Sequence, residues 1–276
     1  MSLRKTGICL VVGAALLGWA SAALALPKDY ELGFQASDSS VMSLIEDFHH
    51  ELLFIITVVC LVVAGLLIWI IIRYRASANP VASKVHHNTL LEVAWTIIPV
   101  IILVFIAIPS FKLLYYEAAP PSKPAVVIEA IGHQWYWSYQ YPQAGFGYDS
   151  LGLSDAAAKK AGEPRLLGVD NVVEVPVGKI IEIDTTGADV IHSWALPQVG
   201  VKMDAVPGRI NKTWFKADQI GTLYGECSEL CGARHAFMPI EVKVVSEADY
   251  DAWIAAAKKI ATAGGGKYTA LDTGAK

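Results

Sequence analysis

Charge is what this chain has least of. Only 17% of its 276 residues are Asp, Glu, Lys or Arg, where a soluble domain usually carries roughly 25%. Hydrophobic residues make up 54%, and mean hydropathy is +0.43. So few charges cannot coat a water-soluble globule of this length, so a membrane-embedded portion is expected. The same abundance of apolar groups excludes a disordered chain. Basic runs are absent too: 22 Lys and Arg are scattered among 26 Asp and Glu, for a net charge of −4. That argues against nucleic acid as a partner. The four cysteines are too few for a disulfide scaffold. No internal repeat is present.

The first residues carry a processing pattern. Arg4 and Lys5 precede an apolar run over residues 8–20, and Ala23-Leu24-Ala25 places small residues before Pro27. Residues 1–25 are therefore predicted to be a signal peptide, cleaved near Ala25 and taking Cys9 with it. An uncleaved anchor helix is the alternative. An exported polar segment follows over residues 26–51, ending in Glu46, Asp47, His49, His50 and Glu51. Residues 52–72 hold no charge and can cross the ~30 Å of hydrocarbon in a bilayer. A second span covers residues 93–116. Its Pro99 and Pro109 suit a transmembrane helix better than a soluble one, and Trp95, Tyr115 and Tyr116 fit the interfaces. The connecting loop, residues 73–92, carries Arg73, Arg75 and Lys84. Positive-inside bias places it in the cytoplasm and both chain ends outside, as an export signal also requires.

Beyond a stiff Pro-rich linker, residues 117–124, the character changes. Short β-rich segments recur at 126–130, 135–141, 172–175, 180–184, 191–195, 213–215 and 240–245, with Gly and Pro between them. They predict a compact antiparallel sandwich or barrel over residues 125–245. A short helix is expected around residues 154–161. A second helix, residues 246–262, opens on the capping sequence Ser246-Glu247-Ala248-Asp249, and a flexible Gly-rich tail, residues 263–276, closes the chain.

One loop concentrates donors. Cys227, Glu229, Cys231, His235 and Met238 stand close together in the sequence, and His192 lies far upstream in His192-Ser193-Trp194. Two thiolates, two imidazoles and a thioether are soft donors that select copper. A Cys227–Cys231 disulfide is the plain alternative in an exported domain, yet it gives His235 and Met238 no role. Structural zinc leaves Met238 idle, and a mononuclear blue copper site leaves one cysteine over. Two cysteines bridging two copper ions use every donor. The aromatic run from His133 to Tyr141 reads as an amphipathic strand with Trp135, Trp137, Tyr139 and Tyr141 on one face.

These motifs, with Gly132-His133-Gln134-Trp135-Tyr136-Trp137-Ser138-Tyr139, resemble subunit II of bacterial cytochrome c oxidase, the aa3-type haem–copper oxidase. The resemblance extends from about Gly33 to Trp253. It implies a two-helix transmembrane hairpin followed by an all-β, cupredoxin-like Greek-key domain in the bacterial plasma membrane, with the N-terminus and copper domain periplasmic. It implies a dinuclear copper A centre in which Cys227 and Cys231 bridge the metals. His192 and His235 each terminate one copper, Met238 ligates one, and the carbonyl of Glu229 the other. The Glu229 side chain would reach a magnesium ion shared with subunit I. Trp135 would be where electrons from cytochrome c enter, and Glu92 the mouth of a proton channel. The implied partners are subunit I, holding haem a, haem a3, copper B and the oxygen-reducing site, then subunit III, cytochrome c and membrane lipid. Cytochrome c is basic, so acids such as Asp149, Asp170, Asp184 and Asp189 are candidates for steering it. A stand-alone membrane-anchored copper protein or copper chaperone is the rival function. A quinol oxidase subunit would lack the copper ligands that are present here.

Overall fold

The computed structural model describes residues 23–26, 28, 30–81, 83–264 and 266–271. Most of the expected signal peptide, with Cys9, lies outside the described residues. The described part forms two units, one of residues 40–121 and the other of the remainder.

The first unit is a pair of helices, α1 (Ser40–Arg73) and α2 (Thr89–Ala118), each long and apolar enough to cross a membrane. At 1.5 Å per residue, the 34 residues of α1 reach about 51 Å, well beyond the hydrocarbon. The helix begins before the apolar run because the polar stretch from Glu46 to Glu51 contains no Pro or Gly to stop it. A charge run ends a membrane span, but it does not end a helix. The start of α2 is capped by Asn88, whose side chain accepts from the Leu91 amide at 3.2 Å.

The second unit is the β domain. Short β1 (Ala23–Ala25) lies parallel to the first half of β10. The other strands are β2 (Val126–His133), β3 (Tyr136–Tyr141), β4 (Phe146–Ser150), β5 (Val173–Pro176), β6 (Ile181–Gly187), β7 (His192–Leu196), β8 (Val201–Ala205), β9 (Asn211–Phe215), β10 (Gly221–Cys227), β11 (Pro239–Val245) and β12 (Thr269–Ala270). One sheet runs β5-β11-β10-β7-β8, and the other runs β12-β4-β3-β2-β6-β9. Three pairs, β1/β10, β2/β6 and β5/β11, are parallel, so the sheets are mixed and not purely antiparallel as the sequence pattern predicts. The chain leaves β2 and returns to it only after building β3, β4 and β5, and so long an excursion permits parallel pairing.

Alternation along β2, β3 and β6 points one face inward. Ile128, Trp137, Tyr139 and Ile183 from one sheet meet Val175, Trp194, Leu196, Ile240 and Val242 from the other in one core. This is a cupredoxin-like sandwich. Helix α3 (Asp155–Ala161) is capped by Ser154 and α4 (Glu247–Thr262) by Ser246. The tail is not free throughout: Tyr268 is buried against Phe146, Tyr148 and Trp253, and β12 pairs with β4.

Candidate metal centre

The donor loop connects two antiparallel neighbours, leaving β10 at Cys227 and rejoining the sheet at the start of β11. Its ends are tied by the Cys227 amide, which donates to the Met238 carbonyl at 3.3 Å. Ser228 donates to the Ser193 carbonyl of β7 at 2.9 Å, which brings the strand carrying His192 against the loop. Room for the imidazole comes from Gly132 on β2. A Cβ at that position would sit 2.7 Å from the ring of His192.

The loop gathers its sulfur atoms. Cys227 Sγ and Cys231 Sγ are 3.9 Å apart, and both thiols are free and buried. A disulfide requires about 2.05 Å, so the sulfurs are placed beside each other without a bond. His192 Nδ1 is 3.8 Å from Cys227 Sγ, and His235 Nδ1 is 3.5 Å from Cys231 Sγ. Met238 Sδ, on a fully buried side chain, is also 3.5 Å from Cys231 Sγ. The carbonyl of Glu229 lies 3.4 Å from Cys227 Sγ, while its side chain is exposed. All six residues singled out in the sequence therefore converge. The donor atoms of His192, Cys227 and Cys231 fall within 4.8 Å of one another, the spacing of a metal site.

The electrostatics fit a cation. Burial works against ionisation of Cys227, but hydrogen bonds with His192 and with the Ser193 and Glu229 backbone outweigh it and bring this thiol down to about 7. Burial and the neighbouring Cys227 push Cys231 up to about 12. Two negative sulfurs at this distance repel, and a metal between them removes that penalty. Soft, buried and unbonded donors of this kind suit copper.

Three residues at the site escaped the sequence reading of its chemistry. Asp189 Oδ1 accepts from the Val190 amide at 2.6 Å and lies 2.9 Å from His192 Nε2, which leaves Nδ1 facing the sulfur. Its Oδ2 accepts from the Gln134 amide at 2.7 Å. Burial opposes the charge on Asp189, yet these bonds hold it below the usual carboxylate range. Gln134 and Gly132 are the other two. The only sequence signal for Asp189 is its position three residues before His192. The other acids considered for steering are also engaged, Asp149 by Ser138 at 2.6 Å, Asp170 by the Leu151 amide at 2.7 Å and Asp184 by Lys212 at 3.1 Å. Trp135 separates from its strand mates: Trp137, Tyr139 and Tyr141 are buried, while Trp135 stands half-exposed in the turn before β3. Its Nε1 donates to the Cys231 carbonyl at 3.3 Å. Glu92 lies in the first turn of α2, in the other unit, 2.6 Å from His87 Nδ1.

Residues 126–245 match the family model for the periplasmic domain of cytochrome c oxidase subunit II, and residues 27–113 match the model for its transmembrane domain. A probable cytochrome c oxidase subunit 2 from Rickettsia bellii (strain RML369-C) is 45% identical over 239 residues, 86% of this chain and 88% of the relative. The chain belongs to the cytochrome c oxidase subunit II family. The subunit 2 of Arabidopsis thaliana is 42% identical over 233 residues, covering 82% of this chain and 89% of the relative. A crystal structure of the periplasmic domain of subunit II from Bradyrhizobium japonicum is 54% identical, covering 50% of this chain and 96% of that one, with a TM-score of 0.47. As a subunit II, the chain is a membrane-anchored component of an oxidoreductase complex, and its family implies copper binding.

Proposed function

We propose that the β domain receives electrons from cytochrome c at a dinuclear copper A centre. They pass on to haem in subunit I, where oxygen is reduced and protons are pumped. The observation that carries this reading is the pair of free, buried sulfurs 3.9 Å apart, enclosed by two imidazoles and a thioether. Cys227, Cys231, His192, His235, Met238 and the Glu229 carbonyl would together hold the two copper ions. When bound, such a copper pair supplies one-electron exchange spread over two metals, with little change in any single bond.

The chain's own groups do the rest. Buried Trp137 packs edge-on against the His192 ring, 5.9 Å between centroids, and shields it from water. Asp189 fixes the orientation of His192. Trp135 is half-exposed and its Nε1 donates to the Cys231 carbonyl, a contact that supports reading it as the point where electrons enter. The exposed carboxylate of Glu229 is a hard oxygen donor suited to a magnesium ion shared with subunit I. Glu92 sits as the proton-channel mouth on the cytoplasmic side. The chain crosses the bacterial plasma membrane twice, loses residues 1–25, and assembles with subunits I and III.

Two variants test this in the assembled oxidase. Cys231→Ser should abolish any electron resonance signal shared over two copper nuclei. Trp135→Leu should slow cytochrome c-driven turnover by about tenfold or more at normal copper content. Unchanged turnover would remove Trp135 from the route.

A further inference from the structure

Gln134 and Trp135 form the turn between β2 and β3, outside the ladder that pairs His133 with Tyr136. The turn is held from two sides, and Gln134 takes part in both. Its main-chain N–H donates to Asp189 Oδ2 at 2.7 Å, on the segment leading to His192. Its side-chain Nε2 donates to the Cys231 carbonyl at 2.8 Å, on the donor loop. The Trp135 indole shares that same carbonyl through a longer bond of 3.3 Å. Gly232 lets the loop come this close. It takes a φ of +123°, and a Cβ there would lie 3.0 Å from Trp135 Cζ2 and 3.1 Å from Gln134 Nε2.

The path His192–Asp189–Gln134–Cys231 therefore closes a hydrogen-bonded loop around the sulfur cluster, and Trp135 hangs from its shortest link to the donor loop. We propose that Gln134 is a positioning residue that fixes the Trp135 ring on the Cys231 carbonyl. Gln134 is itself exposed, but its Nε2 is committed to that carbonyl, and this bond is what orders the tryptophan beside it. This rests on the reading of Trp135 as the electron-receiving residue.

The test uses the metal-free full chain in detergent, labelled with 5-fluorotryptophan, with Trp135→Phe assigning the Trp135 resonance. Gln134→Leu keeps the bulk and removes the donor. Gln134→Glu replaces the donor with an acceptor that repels the carbonyl. Both should shift and average the Trp135 fluorine signal while leaving the signals of buried Trp137 and Trp194 in place. In the assembled oxidase, both should lower kcat with cytochrome c by roughly three- to tenfold at unchanged KM and copper content. A Trp135 signal unmoved in either variant would overturn the proposal. A raised KM with unchanged kcat would also overturn it, by making Gln134 a docking contact. Full turnover by Trp135→Phe would instead refute the electron-receiving reading alone, since the fluorine signal judges Gln134 independently.

Discussion

Asp189 gathers the Val190 and Gln134 amides and the imidazole of His192 on one carboxylate. Asp189→Ala should therefore weaken copper binding by about 10–100-fold, the usual cost of losing the partner that orients a ligating histidine. Competitive titration of the full chain against a chelator checks this. The two thiols should also differ sharply when metal is absent. As pH rises Cys227 should ionise first, helped by its bonds with His192 and the backbone, while burial and the Cys227 charge hold Cys231 back. Alkylation by iodoacetamide near neutral pH, read by peptide mass spectrometry, should modify Cys227 ahead of Cys231, and equal rates would contradict the geometry. At this scale the donors were legible because most share one short loop and their softness narrows the metal. Gln134 and Gly132 were not, because each acts on a residue dozens of positions away that only the fold brings near. Asp189, though three residues from His192, reads as one surface acid among several until its bonds to His192 and Gln134 are seen.

Among the elements, the two apolar helices and most strands could be read from hydropathy and alternation. β1, β4, β8, β10 and β12 could not. β10 carries Cys227, yet Gly221, Gly225 and Glu226 dilute its pattern. The C-terminal segment misled differently, because a Gly-rich composition conceals one buried tyrosine. Tyr268 packs on Phe146, Tyr148 and Trp253 and accepts from Trp253 Nε1 at 3.1 Å. Tyr268→Ala should cost about 3–5 kcal/mol, the range for truncating a buried aromatic, measurable by denaturant unfolding.

β11 also hides an acid. Glu241 is buried and accepts from the Val169 amide at 3.0 Å, pinning the segment around α3 to the sheet. Burial raises its pKa from 4.5 to about 7, with Glu163 adding to the shift. The folded state thus holds this proton more tightly than the unfolded one. Its contribution is full below about pH 4.5 and is lost as pH rises through 7. Glu241→Gln keeps the acceptor without the charge, so its stability should fall less than that of the parent across this window. Thermal unfolding at several pH values reads the difference, and parallel curves would contradict the assignment.

The molecule as a whole joins a hairpin of apolar helices to a sandwich whose sulfur-lined loop suits a soft metal. Composition alone announced the first part, since so little charge leaves few other solutions. The second needed the fold, because His192 and the donor loop meet only once β7 lies against β10. Asp189 and Gln134 then lock that meeting in place. The decisive measurement is copper content together with electron resonance on the full chain, purified in detergent from copper-replete cells. Two copper ions per chain sharing one unpaired electron is the expected result. A chain that holds no copper, with Cys227 and Cys231 joined as cystine, would contradict it.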